Sequence, residues 1–272
     1  MKHFETLGHS GVEIGREKKM RVCGIYFSPT NTTKIIVKTV FYGLTDSGRL
    51  YDATTPEGRR LPFVSGSEDV VLIGAPVYSG RLPEVFADYL REKDFRGKKV
   101  AALVVYGNRA YEDALVELKD IITSKGGVLI AAGAFIGEHS YTSEVAFGRP
   151  DAGDKAKAGE FARAIEKNIS REISVEVPGN RPYRERRISH PMGPHTGDTC
   201  IQCHLCAEKC PVGAIDFHDS RKADFEKCLH CHRCIYSCPV GAKTFDRGME
   251  PIRRWLVEHC SEKRLEPEWF TE

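Results

Sequence analysis

Apolar runs of strand length alternate with helix-length segments through the first two thirds of the chain. Runs rich in Val, Ile, Leu and Ala predict strands at 21–27, 49–53, 70–74, 99–106 and 128–135. Between and after these runs, apolar residues recur at helical spacing and predict helices at 32–43, from Pro83 onward, at 111–125 and at 155–169. The alternation predicts an α/β fold with a doubly wound, five-stranded parallel sheet.

The remaining segments have other patterns, which divide the chain. Residues 1–19 carry mixed charge without periodicity and are interpreted as an N-terminal tail before an α/β domain at 20–170. A connector rich in Pro and Gly follows at 171–197, with four Arg and one Glu between positions 181 and 187. It is interpreted as an extended, solvated linker; the alternative is that its arginines dock onto an acidic surface. A small Cys-rich domain is expected at 198–247, and a C-terminal helix (249–265) and tail at 248–272, packed back on a domain.

Composition narrows the classes of partner. The 40 Lys and Arg residues balance 38 Asp and Glu residues, so the charge favours neither nucleic acid nor a membrane surface. No apolar run reaches the roughly 18–20 residues that span a bilayer, so no membrane span is expected. The chain has ten Cys and no signal-peptide pattern, from which we expect a reducing, cytoplasmic location.

Eight of the ten cysteines form one motif that is written twice. Each run reads C-x2-C-x2-C-x3-C-P, the ligand spacing of paired [4Fe–4S] clusters. The first run consists of Cys200, Cys203, Cys206 and Cys210, and the second of Cys228, Cys231, Cys234 and Cys238. The other two cysteines, Cys23 and Cys260, are interpreted as buried small residues.

The spacing predicts how the eight thiolates divide between the clusters. Three closely spaced cysteines hold three corners of a cuboidal cluster, and the short chain between them cannot reach the fourth corner. The last Cys of each run is therefore expected on the other cluster, so that Cys238 completes the first site and Cys210 the second. Zinc sites also use C-x2-C pairs with nearby His, but they do not need a third Cys at the same interval. A disulfide framework would suit a small secreted domain instead.

Three loops are expected at the carboxyl ends of the predicted strands, where α/β sheets bind ligands. The loop after the first strand is rich in hydroxyl groups at the start of a helix, which is typical of an anion site. The loop after 70–74 is rich in Gly and Pro and contains an aromatic residue, and the loop after 99–106 is polar. Their candidate binding residues are Ser28, Thr30, Asn31, Thr32 and Thr33; Pro76, Val77, Tyr78, Ser79 and Gly80; and Tyr106, Gly107, Asn108, Arg109, Tyr111 and Asp113.

These motifs resemble two known families. The segment from Asp198 to Asp246 resembles bacterial two-[4Fe–4S] ferredoxins, which have two short helices and two small hairpins. The three loops resemble those of flavodoxins, in which a Ser/Thr-rich turn holds the FMN phosphate. Flavodoxins usually have Gly where this chain has Asn31, the residue that best replaces Gly at positive φ. No G-x-x-x-x-G-K-[ST] is present, and no G-x-G-x-x-G follows the first strand, so FMN is expected rather than FAD or NAD.

The whole chain thus resembles the flavodoxin–ferredoxin fusion proteins of anaerobic bacteria and archaea. The resemblance implies a small α+β cluster domain after the flavodoxin-like domain, with FMN and two [4Fe–4S] clusters as cofactors. We expect a flavin/iron–sulfur oxidoreductase that moves electrons between these cofactors. The alternative is an electron carrier between larger enzymes. No acid–base or nucleophile set is apparent. The expected partner is a redox protein or a small-molecule electron acceptor, and homodimer formation is left open.

Overall fold

The computed structural model describes residues 20–63, 66–186 and 191–272. The tail predicted at 1–19 and Arg187 of the connector lie outside the described residues. The central strands are β1 (Val22–Tyr26), β2 (Arg49–Asp52), β3 (Val70–Pro76), β4 (Lys99–Tyr106) and β5 (Val128–Ile136). The helices between and after them are α1 (Thr32–Leu44), α2 (Pro56–Arg60), α3 (Glu84–Arg91), α4 (Ala114–Ser124) and α5 (Ala152–Lys167).

The five strands are parallel and lie in the order β2-β1-β3-β4-β5. This is the flavodoxin-like order of a doubly wound sheet, and it confirms the fold class predicted from the sequence. The strand order reverses between β1 and β3, because β2 lies on one side of β1 while β3, β4 and β5 follow on the other. The loops after β1 and β3 therefore border the crevice where such folds bind ligands.

Both faces of the sheet are covered, which explains the continuous apolar runs. On one face Ile25, Ile73 and Leu115 belong to a fully buried cluster under α3 and α4. On the other face Ile36 and Phe161 belong to a second cluster, formed with α1 and α5. Cys23 in β1 is also fully buried, as expected.

The C-terminal segment corrects the prediction of a five-stranded sheet that ends in a helix and tail. A 3₁₀ turn (Arg247–Met249) leads into α6, which covers Glu250–Cys260 and ends five residues before the predicted end. The chain then forms an edge strand, Glu268–Phe270, that pairs antiparallel with β5. The sequence does not reveal this strand because it is only three residues long, and it pairs with residues far earlier in the chain. None of the helices in the described ranges is long and apolar enough to cross a membrane.

The first part of the connector lies on the α/β domain instead of extending into solvent. Val175 is fully buried, and its amide donates to the carbonyl of Leu129 in β5. Further along, Arg181 pairs with Asp120 at 2.6 Å, and the Arg184 guanidinium pairs with Glu112. The connector therefore follows the alternative weighed above, in which its arginines dock onto acidic side chains.

A buried carboxylate anchors this contact. Glu117 in α4 is fully buried and accepts hydrogen bonds from both Nε and Nη2 of Arg81, at 2.8 and 2.9 Å. It also accepts from the Leu82 amide and from Arg186 of the connector, each at 3.0 Å. A buried charge is tolerated only with such partners, so the connector completes the neutralisation of Glu117.

The Cys-rich segment folds as a small unit with two matching halves. Each half contributes one short helix, Leu205–Glu208 or Arg233–Ser237, and His195–Thr196 pairs antiparallel with Lys243–Thr244. This unit contacts the α/β domain directly: Arg59 donates to the carbonyl of Pro211 at 2.6 Å, and the Tyr236 hydroxyl donates to the carbonyl of Ser140 at 3.3 Å.

Candidate functional site

The cysteines of the two runs surround two separate cavities. The lining of cavity I includes Cys200, Cys203, Cys206 and Cys238. The lining of cavity II includes Cys210, Cys228, Cys231 and Cys234. The structure thus groups three cysteines of one run with the last cysteine of the other, which is the division that the spacing predicts. Within the described ranges, no three His, Cys, Asp or Glu side chains converge as the ligands of a single metal ion would.

The backbone around both cavities repeats the same unusual conformations. Gln202 and His204 flank the second Cys of the first run with φ of 53° and 61°, and His230 and His232 do so in the second run with 54° and 59°. These left-handed residues turn the chain sharply between ligands. After each run, an amide donates to the last sulfur: Ala214 to Cys210 Sγ and Ala242 to Cys238 Sγ, each at 3.2 Å.

The pKa values of the thiols around the cavities depend on burial and on hydrogen bonds from backbone amides. Burial raises the pKa of the Cys234 thiol to about 12 and raises that of Cys231 still further. At Cys238, by contrast, burial raises the pKa but amide hydrogen bonds from residues 240–243 outweigh it, so the net pKa is lowered. Buried thiolates need a cation, and iron of a cluster supplies that charge where the protein does not.

The loop after β1 has the features of an anion site. It ends at α1, where Asn31 adopts φ 69°, the left-handed conformation expected for the residue that replaces Gly. The Lys34 amide donates to Ser28 Oγ at 2.9 Å, while the amides of Thr32 and Thr33 begin the helix and have no acceptor within it. Thr33 is fully buried, and its hydroxyl has no hydrogen-bond partner. Such a buried donor indicates a missing acceptor.

The loop after β3 turns back sharply toward the cysteines. Tyr78 and Arg81 exchange backbone hydrogen bonds of 2.8 and 3.1 Å around Ser79 and Gly80, both of which have positive φ. Burial raises the pKa of the Tyr78 hydroxyl well above its usual value, and the thiols of Cys231 and Cys228 raise it further. Pro76 ends β3, and the Val77 amide donates to the carbonyl of Val105.

The loop after β4 differs from the sequence interpretation at three side chains. Asn108 donates to the carbonyl of Cys260 at 2.8 Å and to that of Lys263 at 2.5 Å. Tyr111 donates to Glu268 at 2.9 Å. Asp113 is fully buried and accepts from the connector, including the Asn180 amide at 2.8 Å. The sequence placed these groups toward a ligand, whereas the structure uses them to hold the connector and the C-terminal segment.

The rest of this loop stays near the strand ends. Gly107 packs closely against the ring of His139: a Cβ at this position would lie 2.4 Å from the ring, so the contact requires glycine. Arg109 pairs with Glu112 at 2.8 Å, and burial lowers the pKa of its guanidinium. Tyr106 packs its ring against Tyr111 at 5.5 Å.

A group of aromatic rings that the sequence analysis missed joins the loop ends to cavity II. The ring of Tyr141, after β5, lies 4.7 Å from that of His232, which lines cavity II. His232 in turn lies 4.3 Å from Phe245, and Tyr141 lies 5.1 Å from His139. Burial and then the thiols of Cys231 and Cys228 raise the pKa of Tyr141. These ring contacts therefore connect His232, a lining residue of cavity II, to the segment that follows β5.

Two charged residues were also missed, although the repeat contained a signal for both. Arg233 and Lys243 stand where the first run has Leu205 and Ile215. Arg233 reaches the loop after β1, and Lys243 is buried beside cavity I. Positions at which an otherwise similar repeat changes from apolar to charged mark places where the two halves have different surroundings.

Comparisons with known proteins agree with this division of the chain. Residues 199–242 match the family described as a 4Fe-4S dicluster domain. No curated protein matches the chain. Among solved structures, oxidised flavodoxin 1 from Bacillus cereus is 19% identical, with a TM-score of 0.42, covering 55% of this chain and 99% of that chain.

Two further solved structures are similar over the same part. A flavodoxin from the domain Archaea is 14% identical, with a TM-score of 0.39 and coverage of 55% of this chain and 99% of its own. Rubredoxin oxygen:oxidoreductase from the anaerobe Desulfovibrio gigas is 14% identical, with a TM-score of 0.39, covering 55% of this chain and 37% of its own. The fold assignment rests on the strand order, and the chain joins a flavodoxin-like α/β fold to a ferredoxin-type 4Fe–4S segment.

Proposed function

We propose that this protein is a flavin/iron–sulfur oxidoreductase that moves electrons between FMN and two [4Fe–4S] clusters in anaerobic metabolism. The observation that carries the proposal is the position of cavity II. It is lined by four cysteines, and three of its other lining residues contact the α/β domain: His232 packs against Tyr141 after β5, Arg233 donates to the loop after β1, and Pro211 accepts from Arg59. A one-electron centre and a flavin site would therefore be neighbours within a single chain.

The donor sets fit the two clusters. Cys200, Cys203, Cys206 and Cys238 would hold one cluster in cavity I, and Cys210, Cys228, Cys231 and Cys234 would hold the other in cavity II. Four thiolates per site is the ligand set of a [4Fe–4S] cluster, and the amides that donate to Cys210 and Cys238 would favour the reduced, more negative state.

The loops fit FMN at the phosphate end. Ser28, Thr30, Asn31, Thr32 and Thr33 would hold the phosphate through hydroxyl groups and first-turn amides. The turn from Pro76 to Gly80 would contact the ring system. In the third loop, Tyr106, Gly107 and Arg109 would contribute, while Asn108, Tyr111 and Asp113 position that loop. FMN supplies chemistry that exchanges two electrons with a substrate and single electrons with a cluster.

The two cavities would have different roles in this scheme. Cavity II contacts the α/β domain through its lining residues Pro211 and Arg233. Around cavity I, Cys203 is exposed, Ile201 is 62% exposed and Val240 is 41% exposed. A redox partner protein would exchange electrons at cavity I, and cavity II would connect that site to the flavin.

Anaerobic reconstitution tests the proposal. The wild-type chain should bind about eight iron and eight sulfide ions, as two [4Fe–4S] clusters require, together with about one FMN. Rapid mixing with a one-electron reductant should then reduce the clusters before the flavin. The rate of the following transfer from cluster to flavin should not depend on protein concentration, because both cofactors would be in one chain. A protein that binds zinc and no acid-labile sulfide, or one that binds clusters without FMN, would contradict it.

A further inference from the structure

Arg233 extends from the Cys-rich unit to the loop expected to hold the flavin phosphate. It is the first residue of a short helix, lies between Cys231 and Cys234, and lines cavity II. One terminal nitrogen donates to the carbonyl of Pro29 and approaches Asn31 Oδ1 at 3.4 Å. No other residue of the Cys-rich unit has a hydrogen bond to this loop within the described ranges.

Within the described residues, Arg233 hydrogen-bonds to neutral oxygens rather than to a carboxylate. Its Nε is buried and has no hydrogen-bond partner, and none of its ion pairs or hydrogen bonds in the described ranges involves a carboxylate. A partly buried guanidinium with only neutral acceptors is electrostatically unfavourable, because it has lost water without gaining an anion. Its position is favourable if an anion binds beside it.

The loop after β1 also has hydrogen-bond donors without acceptors. The Thr33 hydroxyl is fully buried and has no hydrogen-bond partner, and the amides of Thr32 and Thr33 have no acceptor within α1. Lys34, the basic residue of the first turn, faces Asp52 at 3.9 Å, which offsets its charge. Unpaired donors from the loop and an unpaired cation from the Cys-rich unit thus meet at one place, and a phosphate would satisfy both.

The internal repeat provides an independent observation. The first run has Leu205 at the position of Arg233, and the two runs otherwise have the same backbone turns. Cluster binding itself therefore does not require an arginine there. At this position the positive charge occurs only in the second run, where it reaches the loop after β1.

We propose that Arg233 binds the flavin phosphate, so that the cluster-binding unit supplies part of the flavin site and makes it select phosphorylated flavin. The inference rests on the proposed binding of FMN. It has a further consequence: because Arg233 lies between two ligands of cavity II, assembly of that cluster fixes the guanidinium, and cluster loading and FMN affinity become coupled.

Flavin titrations of the anaerobically reconstituted full-length protein test the proposal. FMN and riboflavin differ only in the phosphate, and quenching of flavin fluorescence gives the Kd for each. Arg233→Leu, which installs the residue of the first run, should weaken FMN binding about 10- to 100-fold, the range for a charge-assisted hydrogen bond to a phosphate. Riboflavin binding should change less than about threefold, because no phosphate is present to lose the contact.

Two further variants separate the charge from the contact between the units. Arg233→Lys keeps the charge without the paired donors and should weaken FMN binding several-fold, again sparing riboflavin. Tyr236→Phe removes another contact to the α/β domain, the hydrogen bond to the Ser140 carbonyl, and should leave both affinities unchanged. Iron and sulfide content is measured for each variant, and Arg233→Lys carries the test if Arg233→Leu loses its clusters.

The outcomes are distinct. An equal loss of FMN and riboflavin affinity in the Arg233 variants would mean that the residue acts through packing between the units, and would overturn the inference. Unchanged FMN affinity would overturn it as well. If the wild-type protein binds neither flavin, the proposed function itself fails.

Discussion

The reduction potential of the cluster in cavity I should depend on one buried lysine. Lys243 is 3% exposed, lines cavity I, and donates to Thr196 Oγ1 at 2.7 Å and to the carbonyl of Ser220 at 2.5 Å. It also opposes the effect of burial on the pKa of the Cys206 thiol. Reduction adds a negative charge to the cluster, and a nearby cation stabilises that state, so Lys243 should raise the potential.

The size of the effect follows from Coulomb's law. Lys243 lines cavity I, and we take roughly 6 Å between its charge and the charge added to a cluster there. At an effective dielectric constant of about 20, two unit charges at that distance interact by about 3 kcal/mol. For a one-electron couple this corresponds to roughly 120 mV, and screening reduces the expected shift to about 50–120 mV.

Lys243→Gln removes the charge while retaining an amide donor for the oxygens of Thr196 and Ser220. Anaerobic voltammetry should show one of the two cluster potentials lowered by the expected amount and the other shifted much less. Lys222→Gln is the matched control, since the Lys222 side chain is 75% exposed and its charge is screened by water. A shift below about 20 mV in Lys243→Gln, or a shift to higher potential, would refute this electrostatic reasoning.

Three further outcomes are expected. Cys238→Ser should lower the iron content to about four ions per chain, as measured by iron analysis, whereas Cys260→Ser should not change it; equal losses in both variants would contradict the assigned ligand sets. Glu117→Gln should lower the free energy of unfolding by about 3 kcal/mol in urea titrations, because it leaves the buried Arg81 without its carboxylate partner. Glu160→Gln, at a partly exposed ion pair with Lys157, should change it by less than about 0.5 kcal/mol. Burial and the charges of His232 and Arg109 lower the pKa of His139 to about 4. Between pH 6.5 and 4, His139 is therefore protonated in the unfolded chain but neutral in the folded protein. As the pH is lowered through that range, the free energy of unfolding should therefore decrease by up to about 1.4 kcal/mol per pH unit. His139→Gln should make this decrease smaller, and an unchanged slope in the variant would contradict the lowered pKa.

The sequence predicted what depends on local pattern and missed what depends on distant contacts. Burial on both faces makes each parallel strand a continuous apolar run, so β4 is predicted at its observed bounds, Lys99–Tyr106. The division of cysteines between two cavities follows from the reach of a short chain. In contrast, Asn108 and Asp113 are polar loop residues whose partners lie about 70 to 155 positions away, and no local pattern distinguishes such a contact from a ligand contact.

The contacts that the sequence could not predict change how the two units work together. A flexible linker would only raise the local concentration of one unit near the other, and electron transfer would then depend on productive encounters. Here the segments on both sides of the Cys-rich unit return to the α/β domain: the connector at Asp113 and Glu117, and the C-terminal segment at Asn108 and through an edge strand beside β5. Anchored at both ends, the unit keeps His232 of cavity II against Tyr141. The distance between the proposed clusters and the proposed flavin would therefore be set by the fold, and variants that release either anchor should slow electron transfer without changing either cofactor's ligands.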